Sequence, residues 1–394
     1  TTLSEAPVPR PEIRSTLAEP VAKPVAQTAP VETATFRTAP PVRTSLTEGP
    51  VPTARPEIRS TLAESIAQSV PEAPPAPLPR PQYLPPPLTF ADGVTAQFDI
   101  PYATLPGFRP LTLDIYSPRA QAVPPPMVVF VHGGGWNDGD SRHAGAFADF
   151  PRALAGLAAQ GYVVASINYR LSQEAHFPAA LQDVKSAIRW MRGRAAAMNA
   201  DPTRLAVWGA SAGGQLAAMA GVTCGVPRFE PEGEVNREAP SDCAEAVIDW
   251  YGPSDLQSLA ADNGQPATEG FAVAGGSSPE GRYLGCEPAA CTPGVARLAS
   301  PLAFISENAP PFLIQHGSAD TEVSPKQSQK LYDALRQKAV PVEIALYPDA
   351  GHQFARKGAP DVATVNKAMA KLTAFLAATF PAKTRPQIRR TVAN

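Results

Sequence analysis

Seven short apolar runs alternate with helix-period stretches through most of this chain, and that alternation limits the fold more than any other feature. The runs are residues 111–116, 127–131, 163–168, 205–208, 246–250, 312–315 and 342–347, bounded by Gly, Pro or Asn. Strands that are apolar on both faces need cover on both faces. Helical patterns supply it at residues 178–198, 325–338 and 361–377; in the first, Leu181, Val184, Lys185, Ile188 and Met191 recur at three- and four-residue steps. The pattern predicts an α/β fold, with a mostly parallel central sheet covered by helices on both faces, over residues 91–380. Ligands on such sheets sit at the carboxyl ends of the strands.

Composition changes sharply before that region. Of 47 prolines, 20 fall in residues 1–90, which hold one glycine (Gly49) and three aromatics (Phe36, Tyr83, Phe90). Such a segment lacks the apolar mass to offset its ordering entropy and reads as an extended, mostly disordered arm. It repeats itself: Arg-Pro-Glu-Ile-Arg-Ser-Thr-Leu-Ala-Glu at residues 10–19 recurs unchanged at 55–64, and a looser copy lies at 41–48. A relative, Arg-Pro-Gln-Ile-Arg-Arg-Thr, lies at 385–391 in the basic tail 381–394. The units are too small and irregular for a solenoid. Two readings stand: a spacer, or a linear motif that docks on a partner with avidity.

Net charge is −2, from 34 basic and 36 acidic residues, which gives no field for nucleic acid. No apolar run is long enough to span a membrane. No His, Asp, Glu or Cys cluster has metal-ligand spacing, and no cofactor motif is present. The four cysteines, Cys224, Cys243, Cys286 and Cys291, avoid CxxC spacing and allow three pairings, or four free thiols. The bridges Cys224–Cys243 and Cys286–Cys291 close the shortest loops. With the start at Thr1, read as the product of signal-peptide removal or trimming, they point to a periplasmic or secreted protein.

Chemistry gathers at the strand ends. The run at 205–208 leads into Gly209-Ala210-Ser211-Ala212-Gly213 and then a helix. This is G-x-S-x-G between strand and helix, which holds a serine hydroxyl above the sheet at a helix N-terminus. The run at 127–131 ends in His132-Gly133-Gly134-Gly135-Trp136. The N–H groups of Gly134, Gly135 and Ala212 are the expected oxyanion hole; His132, Gly133 and Trp136 shape that loop. Asp320 follows the run at 312–315, and His352 follows the run at 342–347. The chain order Ser211, Asp320, His352 suits nucleophile, acid and base on this architecture; Glu322 and Asp349 compete as the acid. Asp183 is expected to pair with an Arg, Tyr169 to brace the fold, His176 to precede a helix and His143 to rim the pocket.

These motifs, with Leu113-Asp114-Ile115-Tyr116, Ile167-Asn168-Tyr169-Arg170-Leu171 and Asp249-Trp250-Tyr251-Gly252-Pro253-Ser254-Asp255-Leu256, resemble α/β-hydrolase esterases. The branch is the hormone-sensitive-lipase-like one with bacterial feruloyl and carbohydrate-acetyl esterases. The resemblance covers residues 92–380. It implies a serine ester hydrolase acting on small acyl or aromatic acyl esters, with a cap or long-loop insert at about 224–300. An aryl formamidase or amidase of the same fold, a polyester hydrolase, and a non-catalytic binding protein recruited through the arm are the alternatives. Because the chemistry lies outside the arm, deleting residues 1–85 is expected to leave small-ester turnover within about twofold; a larger loss in a p-nitrophenyl acetate assay would place the arm at the pocket.

Overall fold

In a computed structural model, the structure describes residues 86–230, 239–265, 278–286, 291 and 294–381. The arm repeats and the tail relative at 385–391 lie outside the described residues. The strands are β1 (Leu88–Thr89), β2 (Thr95–Ala103), β3 (Leu111–Ser117), β4 (Met127–Val131), β5 (Val163–Ile167), β6 (Leu205–Ala210), β7 (Ala246–Trp250), β8 (Phe312–Gly317) and β9 (Val342–Tyr347). They form one sheet in the order β1-β2-β3-β5-β4-β6-β7-β8-β9. From β5 to β9 every neighbouring pair is parallel, whereas β1, β2 and β3 add an antiparallel edge. All seven expected strands are present.

The helices are α1 (Phe150–Ala159), α2 (Ala179–Arg194), α3 (Ala212–Val222), α4 (Leu259–Asp262), α5 (Pro279–Leu284), α6 (Val295–Leu298), α7 (Pro325–Gln337) and α8 (Val362–Thr379). A hairpin of β10 (Ala355–Arg356) and β11 (Ala359–Pro360) stands apart from the main sheet. Strand alternation divides the core between two faces. Val129, Val131, Val207 and Ile314 pack with Val184 and Ile188 of α2 and Leu331 of α7. Val128, Phe130, Trp208 and Ile248 pack with Leu154 of α1 and Leu372 of α8. Residues that alternate along one strand thus serve opposite layers.

Parallel register aligns the strand ends. Val131 pairs with Gly209, Ala210 with Trp250, Trp250 with Gln315, and Gly317 with Tyr347. The loops that leave β4, β6, β8 and β9 therefore emerge along one edge. Within 224–300, β7 lies in the central sheet between β6 and β8, so the insert is split into two pieces. Both short-loop disulfides are present, Cys224–Cys243 and Cys286–Cys291.

The first bridge flanks a buried charge pair. Lys185 of α2 is fully buried, ion-paired with Asp242, and donates to the Thr223 carbonyl at 2.6 Å. Burial pulls the Lys185 pKa down, and the Asp242 carboxylate opposes that. Replacing Asp242 with Ala leaves a buried ammonium without its counter-charge. The expected cost is about 3–5 kcal/mol, read as a lower urea midpoint, and the double variant Lys185→Met/Asp242→Leu should recover most of it. An unchanged midpoint in D242A would mean that the pair does not hold the fold.

Candidate active site

Ser211 occupies the turn between β6 and α3 with φ 58° and ψ −123°, a left-handed conformation that costs free energy for a residue with a Cβ. Its flanking glycines let the turn close. A Cβ on Gly209 would lie 1.9 Å from the Gly213 carbonyl oxygen, and one on Gly213 would lie 2.1 Å from that of Val131. The Ser211 amide donates to the Trp250 carbonyl at 2.8 Å, so β7 also holds the turn.

The serine hydroxyl lies 2.9 Å from His352 Nε2, and His352 Nδ1 lies 2.7 Å from Asp320 Oδ2. The three groups come from the loops after β6, β8 and β9, as the strand ends predict. Asp320 Oδ1 accepts from the amides of Glu322 and Val323 at 2.9 and 3.0 Å. Burial pushes the Asp320 pKa up, but hydrogen bonds from His316 and His352 outweigh it and hold the carboxyl well below the usual range. The Tyr251 ring packs edge-on against His352, 4.8 Å between centroids. Of the competing acids, Glu322 lies 4.0 Å from Nε2, the nitrogen that faces the serine, and Asp349 is exposed, 3.8 Å from Arg356.

The glycine loop after β4 faces the same space. Gly134 and Gly135 have φ of 96° and 59°. Among the described residues nothing accepts from the amides of Gly134, Gly135 or Ala212, and all three line a cavity of about 500 Å³ with Ser211 and His352. Gly133 also lines it, its Cα face against Ser211, where a Cβ would meet the serine Cβ at 3.2 Å. His132 is buried and stacks on Tyr169, 4.2 Å between centroids. Burial pulls its pKa down to about 4, so the ring is neutral near pH 7 and its Nδ1–H donates to the Gly133 carbonyl at 2.8 Å. Trp136 donates to Gln215 Oε1 at 2.9 Å and stacks on Tyr283 of α5, 4.7 Å between centroids with 7° between planes.

The remaining expected residues fall away from the hydroxyl. Asp183 is buried and takes the Arg170 guanidinium at 2.7 Å. The Tyr169 hydroxyl donates to the His132 carbonyl at 3.1 Å. His176 lies 2.8 Å from the Arg282 carbonyl through Nδ1, just before α2. His143 lines the cavity rim and pairs with Asp140 at 2.8 Å. Three neighbours escaped the sequence reading: His316, Tyr251 and Tyr283. Tyr251 sat inside a phrase read only for the resemblance it carries, His316 directly follows the run at 312–315, and nothing in the local pattern of Tyr283 ties it to the glycine loop. Among the described residues no three His, Cys, Asp or Glu side chains gather as metal ligands, and no helix is long and apolar enough to cross a membrane.

The BD-FAE family matches residues 113–335, and the prolyl oligopeptidase family matches residues 291–382. The chain is 34% identical over 232 residues to esterase LipC of Mycobacterium tuberculosis, covering 59% of this chain and 53% of that protein. It thus spans about half the length of the curated relatives it matches. A bifunctional GH43-CE protein of Bacteroides eggerthii superposes with a TM-score of 0.60 at 30% identity, over 72% of this chain and 38% of that one. Thermogutta terrifontis esterase 2 phosphorylated by paraoxon superposes with a TM-score of 0.57 at 26% identity, over 74% of this chain and 96% of that one. The BD-FAE match extends over more than half of the residues, from β3 into α7, and the chain belongs to that family and carries the α/β-hydrolase fold.

Proposed function

We propose that this chain is a serine carboxylic ester hydrolase in which Ser211 is the nucleophile, His352 the general base and Asp320 the acid that orients it. One observation carries the reading: Ser211 Oγ, His352 and Asp320 Oδ2 form a continuous hydrogen-bonded line, and Ser211 and His352 line the cavity. The esterase names of its relatives support it.

Asp320 accepts from Nδ1 and so keeps His352 Nε2 free to take the Ser211 proton as the hydroxyl attacks the ester carbonyl. Charge that develops on the carbonyl oxygen is met by the amides of Gly134, Gly135 and Ala212. Those amides need no reorganisation, because among the described residues no other group accepts from them. The imidazolium then gives its proton to the leaving alcohol, and water repeats the sequence on the acyl-enzyme. His132 plays no part in the proton transfer; it holds the loop as a neutral ring.

The cavity suits small acyl or aromatic acyl groups of the acetyl and feruloyl type on a polar alcohol. Its wall includes Leu259, Pro279 and Trp136 beside Asn137, Asp138 and Gln353, a mixed lining rather than a wholly apolar one. The two disulfides favour an oxidising compartment, periplasmic or extracellular. The arm repeats serve either to dock on a partner or to space the domain from a surface.

Ser211→Ala is expected to lower kcat for p-nitrophenyl acetate by about 10⁶, with residual turnover from the oxyanion amides, and to abolish labelling by a fluorophosphonate probe. Near-wild-type hydrolysis in that variant would overturn the assignment. A panel of acetyl, butyryl, long-chain, feruloyl and formamide substrates would then separate esterase from amidase chemistry.

A further inference from the structure

Asp320 Oδ2 carries two imidazoles. His352 Nδ1 lies 2.7 Å from it and His316 Nε2 lies 3.1 Å from it. His316, near the end of β8, is fully buried. Its Nε2 also lies 2.8 Å from the Val323 carbonyl. Both neighbours of Nε2 are acceptors, so Nε2 carries the hydrogen. At the other edge of the ring, Nδ1 lies 2.6 Å from the hydroxyl of Ser328, itself buried in α7. A neutral Nε2–H ring with the Ser328 hydroxyl donating to Nδ1 satisfies both nitrogens.

We propose that His316 is a positioning residue for the base: its N–H, shared between Asp320 Oδ2 and the Val323 carbonyl, fixes the carboxylate and limits the charge that Oδ2 presents to His352. The inference rests on the Ser211, His352 and Asp320 reading. A donor on a carboxylate oxygen draws off negative charge. The His352 imidazolium is stabilised by that charge, so its proton is held less tightly while His316 donates. The base then stays unprotonated, and able to act, to a lower pH than with Asp320 serving His352 alone.

Other groups also stand around His352, and one of them, Tyr251, packs edge-on against the His316 ring as well, 6.3 Å between centroids. Glu322 faces Nε2 from the loop after β8 at 4.0 Å and is exposed to water. Tyr251 faces the ring from the end of β7, with the buried Asp249 behind it. Ser211 faces it from the start of α3. On its own loop, Asp349 turns outward toward Arg356.

The test is the pH profile of kcat/KM on p-nitrophenyl acetate, with kcat and KM separated, for the full chain and three variants. In His316→Met the acid limb should move up by about one pH unit. In that variant kcat should fall about tenfold, with KM within about twofold. His316→Gln keeps a donor in reach of Oδ2, and its limb should stay near that of the wild type. Ser328→Ala leaves His316 in place but removes the hydroxyl that polarises it; its limb should move in the same direction by less, which keeps the test open if His316→Met does not fold. Limbs that coincide with the wild type in every folded variant, whatever the loss of rate, would overturn the proposal. A wild-type chain that neither hydrolyses esters nor takes a fluorophosphonate label would instead sink the assignment of Ser211.

Discussion

Backbone-to-backbone contact between the start of α3 and the end of β4 sets the geometry on which the rest of the site depends. At Gly213 the helix approaches the Val131 carbonyl so closely that no side chain fits between them. That contact fixes the depth at which Ser211 leaves the sheet, and it fixes the glycine loop relative to the serine, because the loop begins at the very next residue after Val131. Ser211 and the glycine-loop amides are thus referenced to one point of the sheet. Parallel register then brings the loops that carry Asp320 and His352 to the same edge.

Polar burial holds the glycine loop from its far side. Asp114 of β3 is fully buried and accepts from the Asp99 amide, the Ser141 hydroxyl and the Arg142 guanidinium. Asn168, just past β5, accepts from the Ser141 amide at 2.8 Å. The three glycines have no side chains to pack, so the stacks of His132 and Trp136 hold the loop's ends and the hydrogen bonds of Ser141 and Arg142 anchor the chain that follows it. The phrases around Asp114 and Asn168 thus serve the site without touching it.

Much of this was legible in the residues, for identifiable reasons. Strands buried on both faces announce themselves as apolar runs, and the glycines around Ser211 are the only residue type that the turn admits. Strand β2 escaped because it alternates polar and apolar residues at the sheet margin, contains Pro101, and is interrupted by register shifts near Asp99. Helix α1 escaped because Ala and Gly dilute its apolar period. His316 is a subtler case. Its identity is plain in the chain, but only the path of β8 and the turn at Gly317 bring its ring beneath Asp320, four residues on. Tyr283 depends still more on tertiary structure, since its partner Trp136 lies far away along the chain.

The stack of Trp136 on Tyr283 ties two regions with opposite demands. The glycine loop carries the proposed oxyanion donors, whereas the insert that contains α5 lines the wall of the same cavity. Pro279, at the start of α5, lies against Gly135, where a Cβ would meet it at 3.2 Å, and the Cys286–Cys291 bridge follows the helix directly. A change in the pocket wall at α5 is therefore transmitted to the glycine loop, whose amides are the proposed oxyanion donors. Substitutions that preserve the aromatic plane and the helix start leave selectivity free to drift, and those that tilt them change affinity and rate together.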